Sequence, residues 1–453
     1  MSFSAVFDER LCQEKYPPPS IFVLFGATGN LAEKKIFPAL DALAAKRLFH
    51  PQSRIVAVSR RDMDIAGLRK KAKLSSLIAS RTTVVRFDPE NGDTAKELVR
   101  HLDLYDRNIG RIYYLAVPPS AFRSILSVLA GEHLFDEPSG KAFRNLVLEK
   151  PPGYDLEDVR GIHRMLESYL KPHQIYLIDH YLGKDEVQNI LTLRFANRIF
   201  SGVWNGRNIE QLTIAVSEKS GIGGRAEYFD RAGIIRDMFQ SHLLIMLGLC
   251  LMPFPEKFDA HHINAALADA LRCIEVKKSV FTGQYMEYRQ TPGVPSDSRT
   301  LTCADIFFGS SDSNWRNTQF RLFAGKAMKN DRSFINIRFR NGTFPFEDTP
   351  FIVSSNELEL EIKPHPGIKL ILCSKRSGPH LCFGTLTLSH TGEDQMPSDG
   401  YQRLLLDCQN RDRTFFPDFG VFEQTGRICD LAEEIISAER VKIYSSEILD
   451  FSP

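Results

Sequence analysis

The chain has 453 residues, with 57 Lys and Arg against 56 Asp and Glu, and a formal net charge of +1. That balance gives no electrostatic case for nucleic acid or a membrane surface as a partner, since both need a clustered basic excess. Hydrophobic residues at 43% and charged residues at 25% exclude disordered and collagen-like classes, and a single core stops growing near roughly 250–300 residues, so two domains are expected.

Residues 1–15 mix acids and bases without an apolar stretch, which argues against a signal peptide there. Residues 16–20, Tyr-Pro-Pro-Pro-Ser, stiffen the end of an N-terminal arm over 1–19. An apolar run at 21–25, bounded by proline and glycine, suits a buried parallel strand. Helical periodicity at 31–49 follows, then a strand at 55–58, a helical stretch at 65–78 and a strand at 83–87. Further buried strands are expected at 112–117, 145–148 and 174–178, each preceded by a helix-like segment. Strands alternating with helices predict an α/β domain over 1–180 with a parallel sheet covered on both faces.

Past residue 182 the pattern changes. Helices are expected at 185–199 and 232–251, and alternating, strand-like sequence at 211–216, 298–308, 334–340, 358–362, 369–374 and 382–388. This predicts a β+α domain over 181–453 with a large, mainly antiparallel sheet. The longest apolar stretch, 243–254, is shorter than the roughly 20 residues a membrane helix needs. The eight cysteines are scattered, with no C-x-x-C pair, as expected of reduced core residues in a cytoplasmic protein.

Gly26-Ala27-Thr28-Gly29-Asn30-Leu31 joins the first strand to the first helix, where glycine lets the backbone approach a pyrophosphate and the helix start offers free N–H groups. A plain strand–turn–helix corner reads much the same. At the end of the second strand the chain has Ser59-Arg60-Arg61 and no acid until Asp62. NAD sites usually place an acid there for the ribose 2′-hydroxyl, whereas guanidinium groups suit the 2′-phosphate of NADP. Glu149-Lys150-Pro151 sits at another strand end, and Asp179-His180-Tyr181, with Lys184, follows the next. Four polar groups of different chemistry at a strand mouth are hard to assign to packing. Asp237 and His242 lie on the 232–251 helix, although a lone histidine among leucines is commonly a core residue. His261-His262 lacks a Cys or acid partner at metal-ligand spacing and reads as surface, and no metal is expected.

These residues, with Tyr114-Leu115-Ala116-Val117-Pro118-Pro119-Ser120, Leu193 to Phe200 and Tyr228 to His242, resemble the motifs of the glucose-6-phosphate dehydrogenase family. The resemblance runs from about residue 20 to about residue 410 and is most specific over 179–200. It implies a Rossmann-like coenzyme domain followed by a β+α domain that forms a homodimer, or a dimer of dimers, through its sheet. It implies oxidation of C1 of a 6-phosphorylated hexose, most simply glucose 6-phosphate, to the δ-lactone with hydride passing to NADP, the first step of the oxidative pentose phosphate pathway. By motif position, His242 is the general base and Asp179 its orienting carboxylate. His180, Tyr181 and Lys184 hold the sugar phosphate. Glu218, Asp237 and Lys326 bind sugar hydroxyls, and Lys150 touches substrate and coenzyme. Gly26, Thr28, Gly29, Asn30, Leu31, Arg60, Arg61 and Pro118 serve the coenzyme. The chemistry agrees, because losing hydride from C1 requires the C1 hydroxyl proton to leave in concert, and a neutral imidazole suits that at physiological pH.

The family usually has Arg at Leu177, and Asp and Lys at Asn30 and Glu33. It places a cation five residues beyond the Gly325-Lys326-Ala327 lysine, where this chain has Asp331, flanked by Lys329 and Arg332. Either Asp331 turns away and one of those neighbours turns in, or the substrate is not an ordinary hexose 6-phosphate; the first leaves Lys184 and His180 with an anion. Glu361 falls where some members have an arginine for a second, structural NADP, so one coenzyme per chain is expected. Rival readings are a dehydrogenase of a different hexose phosphate, a sugar oxidoreductase of the glucose–fructose oxidoreductase type, and a catalytically weak relative that senses NADP or sugar phosphate.

Overall fold

In a computed structural model of the chain, residues 16–138, 142–149, 153–341, 355–379, 382–391, 400–437 and 439–445 are described. Six strands form the first sheet: β1 (Ser20–Phe25), β2 (Arg54–Ser59), β3 (Thr82–Arg86), β4 (Gly110–Leu115), β5 (Arg144–Leu148) and β6 (Ile175–Leu177). Their order is β3-β2-β1-β4-β5-β6 and every pairing is parallel. All residues of β1, β4 and β5 are buried. Helices cover both faces, so continuous apolar strands are what this sheet requires. The order reverses direction between β1 and β4, and the crevice outside that point is where such folds bind dinucleotides.

The second sheet has nine strands: β7 (Ile209–Ser217), β8 (Ile274–Tyr285), β9 (Cys303–Ser310), β10 (Gln319–Gly325), β11 (Arg332–Phe339), β12 (Glu357–Lys363), β13 (Gly367–Lys375), β14 (Phe383–Thr391) and β15 (Lys442–Tyr444). The order is β14-β13-β12-β11-β7-β10-β9-β8-β15. Six of the eight pairings are antiparallel; β7–β10 and β8–β15 are parallel. Strands β8, β10 and the three-residue β15 are absent from the sequence reading. Strand β10 lies mid-sheet and is largely buried, which removes the alternation, and the two register shifts of β8 blur its pattern. The expected strand at 298–308 begins only at Cys303. Ahead of it the Ser298 hydroxyl donates to Asp230 Oδ1 and that of Thr300 to Asp230 O, holding the segment as a loop.

The expected 232–251 helix is longer and irregular. Ala226–Ile234 is broken at Gly233 (φ 62°), a π-turn covers Ile235–Leu243, and an α-helix continues over Leu244–Leu251. At 26 residues, Ala226–Leu251 is long and apolar enough to cross a membrane, contrary to the sequence expectation, but its apolar window is buried inside the protein. Helices Ala260–Arg272, Gly400–Asn410 and Phe419–Ser437 add to the two expected beyond residue 182. The Gly400–Asn410 helix returns to the parallel sheet, where Tyr401, Leu404, Leu405 and Cys408 share a core with Phe22, Leu24 and Tyr176.

Candidate active site

The glycine loop after β1 is built for close approach. Gly26 has φ 76°, and a Cβ there would lie 2.3 Å from Ala116 O, so only glycine fits against the end of β4. The Ala27 N–H donates to Val58 O at 3.2 Å, fastening the loop to the end of β2, and the Gly29 N–H donates to Gly26 O at 2.8 Å. Thr28, Asn30 and Leu31 lie in this loop, ahead of the π-turn Ala32–Ile36. At the tip of β2, Arg60 meets Asp88 at 3.5 Å with its side chain 67% exposed, and Arg61 is exposed. Pro118 is exposed in the turn after β4. A loop that lets the backbone approach this closely, with two cations beside it, fits the phosphates of a nicotinamide dinucleotide. Lys150 lies outside the described residues.

On the other side of the crevice, the end of β6 runs into Asp179, which is 1% exposed. Asp179 Oδ1 accepts from the Tyr181 N–H at 2.8 Å and lies 2.8 Å from His242 Nδ1. The other oxygen, Oδ2, is buried with no partner among the described residues. The His242 ring meets those of His180 and Tyr181, each at a centroid distance of 4.7 Å. Lys184 Nζ sits 4.2 Å from the centre of the Tyr181 ring, and the Tyr181 hydroxyl is 3.4 Å from Ser333 Oγ. Burial pushes the Lys184 ammonium down to about 8, with the nearby charge of Lys363 acting in the same direction. Burial also raises the Tyr181 phenol, assisted by Glu218, Asp179 and Asp331. Lys326, 1% exposed, reaches Glu218 Oε2 at 2.6 Å and Asp237 Oδ2 at 3.0 Å. Asp237 and His242 are five residues apart in the π-turn, whose i→i+5 bonding brings them to one side. Asp179, His180 and His242 offer ligand atoms within 4.8 Å of one another, a spacing a metal ion could use; the hydrogen-bonded pair among them equally suits proton transfer.

Two family models cover nearly the whole chain: the NAD binding domain of glucose-6-phosphate dehydrogenase over residues 23–189, and its C-terminal domain over 191–449. The chain belongs to the glucose-6-phosphate dehydrogenase family. Its similarity to the glucose-6-phosphate 1-dehydrogenase of Emericella nidulans is 32% identity, spanning 88% of this chain and 82% of that one. For the enzyme of Chlamydia pneumoniae it is 30%, spanning 88% and 86%. A solved glucose-6-phosphate dehydrogenase in complex with its substrate glucose-6-phosphate superposes with a TM-score of 0.86 at 26% identity, over 96% of each chain. Another from Mycobacterium avium gives 0.82 at 28% identity.

Seen as a member of this family, the chain accommodates its departures in specific ways. Leu177 is 2% exposed in the core, paired with Leu148 across the sheet. Asp331 turns to the backbone, its Oδ1 accepting from the Lys219 N–H at 2.8 Å. Arg332 does not take the vacated role: it pairs with Glu359 at 3.2 Å and Glu361 at 3.6 Å and lies over the Phe334 ring. Lys329 is exposed. A cation that the sequence reading did not name, Lys363, lies near enough to Lys184 for its charge to act there. It stands opposite Ser333 in the β11–β12 register, and directly opposed residues share a face, which puts it on the Tyr181 side. Arg225, 3.7 Å from Asp237, was missed as well. So was Tyr401, whose ring stacks on His180 at 6.0 Å while its hydroxyl, like that of Tyr114, donates to Glu149. No local pattern marks these three: Lys363 and Tyr401 reach the site from distant parts of the chain, and Arg225 is one more charge in the polar loop ahead of the Ala226–Ile234 helix. The His261-His262 doublet does have an acid neighbour, Asp259, which caps that helix and meets His262 Nδ1 at 2.8 Å.

Proposed function

We propose that the chain oxidises C1 of glucose 6-phosphate to 6-phospho-D-glucono-1,5-lactone with reduction of NADP to NADPH. The observation that carries the reading is the His242–Asp179 contact, buried between the phosphate-side group His180, Tyr181 and Lys184 and the hydroxyl-side group Glu218, Asp237 and Lys326. With Asp179 beside Nδ1, the Nδ1–H tautomer is favoured and Nε2 is left to take the C1 hydroxyl proton. Asp179 then stabilises the imidazolium that forms. Lys326, gripping two acids, orients them as acceptors for sugar hydroxyls. Lys184 and Lys363 supply positive charge for the phosphate, with His180 and Tyr181 as further donors. Gly26, Thr28, Gly29, Asn30, Leu31, Pro118 and Lys150 receive the coenzyme, and Arg60 and Arg61 favour its 2′-phosphate. NADP, when bound, accepts the hydride.

The reading extends to a cytoplasmic location, supported by seven described cysteines that are all free. It extends also to self-association through the second sheet, supported by the exposure of Leu386 and Leu388 on its edge strand β14; light scattering showing a monomer would remove that part. The activity is tested by absorbance at the reduced-nicotinamide band with a panel of hexose phosphates, free glucose and both coenzymes. Turnover should be greatest with glucose 6-phosphate and NADP. Equal activity on unphosphorylated glucose, or none on any hexose phosphate, would overturn it.

A further inference from the structure

We infer that Lys71 is a further determinant of coenzyme choice, a third cation for the 2′-phosphate beside Arg60 and Arg61. The inference rests on the NADP reading above and deepens it. The helix Ile65–Ala72 follows β2 and buries Leu68 and Ala72 in the core shared with Ala32 and Ile36. Lys71 is three residues beyond Leu68 and so stands at the edge of that buried face. Its ammonium reaches back 43 residues to donate to the carbonyl of Thr28 at 2.6 Å. Thr28 belongs to the glycine loop, and that loop is itself fastened to Val58, one residue ahead of Ser59-Arg60-Arg61. Lys71, Thr28 and the arginine pair therefore gather around one place, the carboxyl end of β2. In a sheet of this strand order that is where the adenosine ribose lies.

The local charges leave the place positive. Asp62, the nearest acid in sequence, is drawn off by Arg86, whose Nη1 donates to its two oxygens at 3.3 and 3.2 Å. Among the described residues Arg60 has only the 3.5 Å contact with Asp88. Neither Arg61 nor Lys71 has an ion-pair partner among the described residues. An exposed lysine is usually just a solvated charge, but this one is held at the coenzyme loop. Its ammonium has three donors and spends one on Thr28, leaving two for an incoming oxygen. A phosphate dianion gains charge-assisted bonds from them, whereas a 2′-hydroxyl gains little. Lys71 therefore acts on the difference between NADP and NAD rather than on dinucleotide binding in general.

The full chain carrying Lys71→Gln or Lys71→Arg is compared with wild type by KM for NADP and for NAD. Calorimetric affinity for 2′,5′-ADP and 5′-AMP reads the site without turnover. Lys71→Gln should weaken NADP and 2′,5′-ADP about tenfold, the effect of one charge-assisted hydrogen bond. NAD and 5′-AMP should stay within about twofold, and Lys71→Arg should recover most of the loss. Unchanged NADP and 2′,5′-ADP binding overturns the inference, as does equal loss for all four ligands, the sign of a merely loosened loop. If the wild-type chain holds 2′,5′-ADP no better than 5′-AMP, the NADP reading fails with it; if wild type discriminates and the Gln variant discriminates equally, only the role of Lys71 fails.

Discussion

His242 presents Nδ1 to a carboxylate that is almost wholly buried, so what Asp179 controls is the tautomer and the charge of the imidazole. His242→Asn should lower kcat by about 10²–10⁴-fold, the usual contribution of a positioned base, with a much smaller change in KM. Asp179→Asn should act in the same direction through the imidazole; steady-state kinetics at saturating coenzyme decides both, and near wild-type turnover in His242→Asn would rule out the base. Lys184 gives a pH dependence. Its folded pKa of about 8 is below the ordinary 10.5, so the ammonium is charged below pH 8 and neutral above it. Forcing the charge into a buried site costs stability below pH 8, and that cost disappears as pH rises from about 8 towards 10.5. Substrate affinity runs the opposite way, because the phosphate needs the charged form. We expect kcat/KM for glucose 6-phosphate to fall above a pH of about 8, with Lys184→Arg moving the fall to higher pH, as read from a pH–rate profile. Lys363→Ala should raise KM for glucose 6-phosphate about tenfold with little change in kcat, the signature of ground-state binding; an unchanged KM would return the missing cation to some other residue. Asp179, His180, Tyr181 and Lys184 were legible because they are nearly consecutive after one strand. Lys363 and Arg225 were not, since strand register brings the first to the site and the second reads as one more charge in a polar loop.

At the scale of elements, the parallel strands were the readable part. Burial on both faces leaves unbroken apolar runs between turn residues, and every expected strand falls within two residues of the observed one at each end. The same double burial hid β10, which reads as a run with no alternation inside a sheet expected to alternate. The helix carrying His242 was readable in position, but its π-turn and the break at Gly233 were not, because apolar periodicity does not separate α from π geometry. The glycine loop was visible as a spacing, whereas the reason for Gly26 appears only in three dimensions. A methyl group there meets the carbonyl of Ala116 at 2.3 Å in a left-handed backbone. Gly26→Ala should therefore displace the loop and weaken NADP and NAD together, by about tenfold or more. Equal coenzyme affinity by fluorescence titration in the variant and wild type would show the loop to be uninvolved. That joint loss separates it from Lys71→Gln, which is expected to act on NADP alone.

Across the whole molecule, the C-terminal part of the chain closes both halves of the site. The Gly400–Asn410 helix brings Tyr401 to Glu149 and His180 on the side of the parallel sheet. Farther on, β15 joins the second sheet beside β8 in parallel. From that strand the Tyr444 hydroxyl donates to the carbonyl of Lys326 at 2.6 Å and lies 2.9 Å from Thr302 Oγ1. Lys326 is the residue that grips Glu218 and Asp237, so the far end of the chain fixes the backbone beneath the two acids proposed to bind sugar hydroxyls. Tyr444 is 4% exposed, and water cannot readily replace the bond it makes. Tyr444→Phe should cost about 1–3 kcal/mol of stability, the penalty for leaving a buried acceptor unsatisfied, seen as a lower denaturant midpoint. It should also raise KM for glucose 6-phosphate while leaving KM for NADP alone, because the coenzyme loop is built from the other sheet. A variant that lost stability with both KM values unchanged would confine Tyr444 to folding and detach the C-terminal strand from substrate binding.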